Sequence, residues 1–233
     1  MKTFRTNSGP FSQRPHFEPA EIDRICDDEL RKAGLYPASP QAIRIDRFIE
    51  KRFGISHEYQ DLPEGVLGYT RFTKVGVDAI IISAALENAR EKVAARRVRT
   101  TLAHEAGHGL LHAYLFAFDH KPGQLFDADS HADHTILCRD VKEDEGQKRA
   151  YDGRWWEYQA NRAMGGLLCP KALVHDALKS FVRPIGSLGA LILDEDRRGE
   201  AIRAVAEVFD VNPVVARIRI NEMFPPETGQ LLL

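Results

Sequence analysis

Residues 99–112 read RTTLAHEAGHGLLH, and the fold turns on how this stretch coils. His104-Glu105-Ala106-Gly107-His108 spells HExxH. On a helix of 3.6 residues per turn, residues four apart lie about 40° from one another and one turn along, so both imidazoles reach the same cation. Glu105 stands three residues before His108, so its carboxylate borders the same place, where it can take a proton from an attacking water and later give it to a leaving amine. Three protein ligands with a water in the fourth position make an open catalytic tetrahedron, for which zinc is the natural metal. Two imidazoles and one carboxylate lean to zinc over manganese. Leu102, Ala103, Leu110 and Leu111 flank the motif and no proline breaks it, as a buried helix requires. Gly107 and Gly109 each cost a helix about 1 kcal/mol relative to alanine, and the expected return is close approach by a neighbouring helix. Two histidines at this spacing also arise by chance on surface helices, so the reading needs a third ligand.

Glu157, in WWEYQAN (155–161), is the candidate. Ala160 and Ala163 on the same predicted helix are small enough to let it pack tightly on the first, and a glutamate from a separate helix completes a His2Glu ligand set. Asn161 lies one turn beyond Glu157 on the same face, where it can hydrogen-bond a ligand. His112 continues the series 104, 108, 112. A straight helix rises about 6 Å over four residues, so three members of one stripe rarely meet one ion. His112 is read as a partner of a ligand or as substrate-facing, with a packed core histidine and a ligand as alternatives. A hydrolase also needs a donor for the oxyanion of its tetrahedral intermediate; Tyr69, Tyr158 and His112 are all candidates. The strand around 66–73 could offer a backbone edge to an extended peptide.

The two segments together, Arg99–His112 and EYQANRAMGGLLCP (Glu157–Pro170), resemble the ImmA/IrrE family of metallopeptidases. That family has a HExGH helix followed by a helix of the form E-x-x-A-N-x-x-A that ends in L-L-x-P, and Glu157, Ala160, Asn161, Leu167, Leu168 and Pro170 fall on the second pattern. Weaker likeness extends upstream through residues 40–83 and downstream to the C-terminal helices. The resemblance implies an α+β, gluzincin-like fold, a small twisted sheet packed on helices around a zincin-like core. It implies zinc held by His104, His108 and Glu157, with Glu105 as base. The substrate it implies is a regulatory protein, such as a helix-turn-helix repressor of phage, mobile-element or stress-response genes, whose cleavage relieves repression.

Outward from these motifs, the chain of 233 residues balances 32 Lys+Arg against 34 Asp+Glu, for a net charge of −2, which excludes a chain-wide attraction to nucleic acid or membrane. With 43% hydrophobic and 28% charged residues it can bury a core. The three cysteines are too few for a disulfide framework, which fits a reducing compartment. No apolar run approaches the ~20 residues of a membrane helix, and the start resembles no secretory signal, so a cytoplasmic setting is the default. Residues 1–18 read as a loose tail and 19–233 as a single domain. Ile22, Ile25, Cys26 and Leu30 recur at helical spacing. A second helix is expected to start with Ser39 as cap and Pro40 in its first turn, and to stop at Gly54. VLGYTRFT and VDAIIIS (66–83) read as a hairpin, with a further short strand within 55–62.

Three regions carry secondary readings. Residues 117–153 are acidic, with His131, Asp133, His134 and Cys138 spaced H-x-D-H-x3-C, and read as a long loop or insertion; this spacing matches no strong zinc signature, and a switch role for Cys138 is the sharper alternative to a solvated loop. The basic run 90–99 reads as a mostly solvated helix face. Residues 197–224 have a helix-turn-helix cadence, but Glu207, Asp210 and Glu222 crowd the region and two arginines make few phosphate contacts, so a structural or substrate-docking pair is expected; DNA binding, which would use Arg217 and Arg219, is the alternative. The rival to a peptidase is therefore a regulator that binds DNA or a partner protein without cleaving it. A hydrolase of small amides built on the same site is a further alternative.

Overall fold

The computed structural model describes residues 2–5, 13–88, 91–118, 134–139, 154–185 and 190–226. In chain order the elements are β1 (Lys2–Arg5), β2 (Gln13–His16), α1 (Pro19–Lys32), α2 (Ile45–Phe53), β3 (Glu58–Gln60), β4 (Val66–Thr73), β5 (Gly76–Ser83), α3 (Ala84–Asn88), α4 (Lys92–Phe118), β6 (His134–Arg139), α5 (Trp155–Leu168), α6 (Lys171–Ala177), β7 (Val182–Ile185), β8 (Ala190–Leu193), α7 (Arg198–Val208) and α8 (Pro213–Met223). The architecture is α+β, with a four-stranded sheet and two separate two-stranded ribbons among the described residues.

The 27-residue helix α4 organises the rest. Every residue from 101 to 109 is buried, so α4 is enclosed on all sides over this stretch. On one side lie β4 and β5; α5 covers the other, and α2 packs on it as well. The sheet has the order β3-β5-β4-β6, with β3 parallel to β5 and the other pairs antiparallel. Alternate residues of a strand face opposite sides. Gly68 and Thr70 pair with Ile82 and Ile80, and these two isoleucines join Leu102, Ala103 and Ala106 of α4 in the main core. Tyr69, paired with Ile81, faces the other side.

The glycines of α4 behave as expected for close approach. A Cβ on Gly107 would stand 3.0 Å from the Ala160 carbonyl oxygen and 3.0 Å from Ala163 Cβ, so α4 and α5 meet backbone to backbone. Gly109 opens space not for α5 but for Phe53 of α2 and Val77 of β5, at 2.7 and 2.9 Å from such a Cβ.

Four expectations change. Residues 2–5 and 13–16, read as part of a loose tail, form an antiparallel ribbon with Lys2 opposite His16 and Arg5 opposite Gln13; the buried Pro15 carbonyl accepts a hydrogen bond from Gln159 Nε2 at 2.8 Å. Helix α2 starts at Ile45, not after Ser39: residues 41–44 belong to no regular element, and the Ile43 carbonyl accepts from Arg99 Nη2 at 2.9 Å. The segment 117–153 is not loop throughout: α4 continues to Phe118 and residues 134–139 form β6, which pairs along β4. With β5 on its other side, β4 is an interior strand and offers no open edge to a peptide. His131 and Asp133 lie outside the described residues; His134 and Cys138 lie on β6, opposite Phe72 and Gly68. No described helix is long and apolar enough to cross a membrane.

The basic run is only partly a solvated face: Lys92 keeps 61% of its side chain exposed, but Arg96 does not. Arg96, 5% exposed, donates to Asp210 Oδ1 at 2.9 Å and to the Ala206 carbonyl at 3.2 Å, tying α4 to the junction of α7 and α8.

Candidate metal centre

Helices α4 and α5 meet along two rows. On α4, His104, His108 and His112 form a stripe with i, i+4 spacing. On α5, Glu157 and Asn161 form one such row and Trp155, Gln159 and Ala163 another. Because Gly107 lets the helices touch, the rows interleave.

His104, His108 and Glu157 come together so that one ligand atom from each lies within 4.8 Å of the others. The two Nε2 atoms are 3.0 Å apart, and Glu157 sets Oε2 3.2 Å from His104 Nε2 and Oε1 3.6 Å from His108 Nε2. Atoms bonded at 2.0–2.1 Å to a tetrahedral ion are about 3.3–3.4 Å apart, and these separations bracket that value. The other ring nitrogens account for the protons. His104 Nδ1 donates to Asn161 Oδ1 at 3.2 Å, and His108 Nδ1 stands 3.0 Å from His112 Nδ1. With its Nδ1 donating to Asn161, His104 turns its Nε2 lone pair toward His108 Nε2 and the Glu157 carboxylate. The group can hold a metal ion.

Burial keeps His108 and His112 in the neutral form. Burial first, then the neighbouring His104 and His112, hold the His108 pKa well below the ordinary histidine value. For His112, burial dominates, the hydrogen bond to Gln159 opposes it and His104 adds to it, bringing the pKa down to about 4. A neutral imidazole is what a metal requires.

Glu105 is completely buried. Thr70, also completely buried, donates to Glu105 Oε2 at 2.6 Å, with its hydroxyl 3.2 Å from the Glu105 carbonyl oxygen as well. The sheet thus fixes the carboxylate on the motif's own helix. Thr70 is a functional residue that the sequence reading missed; its signal was a hydroxyl in the buried 68/70/72 alternation of β4. Gln159 was missed too. Its Oε1 lies 3.0 Å from His112 Nε2, and its only cue was a polar residue at the i+4 position from Trp155.

The remaining candidates divide. Asn161 is a hydrogen-bond partner of a ligand, as expected. His112 is fully buried with both nitrogens engaged, so it neither faces substrate nor ligates. Tyr69 is on the sheet face opposite Thr70 and donates to Gln60 Oε1 at 3.3 Å, which removes it as an oxyanion donor. Tyr158 is half exposed beside Glu157 on α5. Arg219, which the DNA-binding alternative would use, is 1% exposed and paired with Asp23 at 2.7 Å; its Nε donates to the Cys169 carbonyl at 2.9 Å. It is part of the core.

No protein-family model matches the chain. A search of curated proteins gives no match either.

Proposed function

We propose that the chain is a zinc-dependent endopeptidase of the ImmA/IrrE type with a zincin-like core. The observation that carries this reading is the convergence of two imidazoles and a carboxylate into one group, with a second, buried carboxylate, Glu105, next in sequence to His104 on α4. The donor set of two histidines and one glutamate fits zinc, with an open fourth position. A zinc ion bound there would supply Lewis-acid polarisation of the scissile carbonyl and acidify a water. The residues do the rest. Glu105 is the base, oriented by the Thr70 hydroxyl, and it returns the proton to the leaving amine. Asn161 keeps the Nε2 of His104 turned inward.

The substrate class follows the resemblance carried by Glu157, Ala160 and Asn161: a regulatory protein such as a helix-turn-helix repressor. The burial of Arg219 counts against a role as a DNA-binding regulator, because it leaves Arg217 as the exposed member of the expected pair. The test is co-incubation of zinc-loaded protein with a small helix-turn-helix repressor encoded beside its gene. Wild type should cut the repressor at one place, and Glu105→Gln should cut ~10²–10⁴-fold more slowly, the usual contribution of a general base. Undiminished cleavage by Glu105→Gln would remove the mechanism.

A further inference from the structure

Four hydrogen-bonding groups link the N-terminal ribbon to the metal centre, and their chemistry permits one assignment of protons. The chain is His108 Nδ1 to His112 Nδ1 at 3.0 Å, His112 Nε2 to Gln159 Oε1 at 3.0 Å, and Gln159 Nε2 to the Pro15 carbonyl at 2.8 Å. A carbonyl oxygen only accepts, so the Gln159 atom facing Pro15 is the amide nitrogen. The amide oxygen must then face His112 Nε2, which carries the proton. A neutral imidazole has one N–H, so His112 Nδ1 is an acceptor and His108 Nδ1 is its donor. His108 Nε2 is left with its lone pair, turned toward His104 Nε2 and Glu157.

We propose that Gln159 is a positioning residue for the metal centre: pinned by the Pro15 carbonyl, it fixes the tautomer of His112, and through it presents the Nε2 lone pair of His108 to the metal. The packing fits this role. His112 and Gln159 are buried, and the indole of Trp155, one turn before Gln159, meets the His112 ring edge-on with centroids 5.5 Å apart. Each ligand histidine thus has its own orienting partner on α5, Asn161 directly for His104 and Gln159 at one remove for His108. Orienting partners of metal ligands are worth 10–100-fold in affinity. This inference rests on the metal-binding reading of His104, His108 and Glu157, and does not depend on proteolysis.

The experiment uses the full chain in three forms: wild type, Gln159→Met and Gln159→Glu. Methionine keeps the volume and removes both the acceptor and the donor. Glutamate keeps the acceptor for His112 and loses the donor to Pro15. Zinc affinity is measured by competition with a chromophoric chelator, and the histidine tautomers by long-range nitrogen-15 correlation spectra of the zinc-free proteins.

Wild type should show His112 protonated on Nε2 and His108 on Nδ1. Gln159→Met should bind zinc 10–100-fold more weakly and lose the single-tautomer pattern of His112, while Gln159→Glu, which still accepts from His112 but has lost its pin on Pro15, should keep that tautomer and fall between the two in zinc affinity. Gln159→Met with a lowered melting temperature but unchanged tautomers and zinc affinity would make Gln159 merely structural and overturn the proposal. If Gln159→Met does not fold, the wild-type spectrum still decides, because His108 protonated on Nε2 contradicts the chain of donors. Failure of repressor cleavage in the presence of these results would count against the peptidase and not against this relay.

Discussion

Glu105 and Thr70 separate what helix spacing dictates from what tertiary packing adds. A glutamine at 105 keeps an oxygen to accept from Thr70, so Glu105→Gln should fold and load metal like wild type while cleavage falls. Thr70→Val, almost unchanged in shape, leaves a buried carboxylate oxygen without its hydroxyl donor. It should cost about 1–3 kcal/mol in thermal or urea unfolding, with the bound-metal stoichiometry unchanged. An unfolding curve that superimposes on wild type would deny Thr70 its part in holding the base. His104, Glu105 and His108 were legible because the helix alone fixes their relative positions. Thr70 was not, since strand alternation gives its face but not the residue across from it. Gln159 was hidden for a similar reason: its partners, His112 and Pro15, are 47 and 144 residues away in the chain.

At the scale of elements, the contact of α4 with α5 does the most, since each helix carries part of the ligand set. The small residues Gly107, Ala160 and Ala163 announced that contact in the sequence, and the hairpin β4–β5 and the pair α7–α8 were equally readable from their patterns. The start of α2 was not, because the cap at Ser39 lost to a long-range bond between Arg99 and the Ile43 carbonyl. Ribbons β1–β2 and β7–β8 escaped because strands of four residues, two of them interrupted by Pro15 and Pro184, carry little periodicity. Gly107→Val tests the contact. Its branched side chain would meet the Ala160 carbonyl and Ala163, so it should destabilise the fold by about 1–3 kcal/mol, as overpacking does. By moving Glu157 away from the histidines it should also weaken zinc binding. A stable protein with full affinity would mean that the helices need not touch.

For the whole molecule, buried arginines join the C-terminal pair to the helices around the candidate site. Arg96 reaches α7 and its junction with α8; Arg219 of α8 reaches Asp23 of α1 and the end of α5. Composition could not reveal this, because a basic residue in sequence looks the same whether it is solvated or buried. Arg219→Ala strands Asp23 and should lower stability toward the lower end of the ~3–5 kcal/mol typical of a broken buried pair, given that the Asp23 side chain keeps 17% of its exposure. A melting temperature equal to that of wild type would return Arg219 to the surface, and with it the DNA-binding reading. Metal uptake is the decisive property. Calorimetric titration of the metal-free protein with zinc should give one ion per chain in wild type and in Glu105→Gln, and binding more than ~100-fold weaker in Glu157→Ala, beyond the loss typical of a ligand's mere partner. A wild-type chain that takes up no zinc, or a Glu157→Ala chain that binds it as tightly as wild type, would contradict the site.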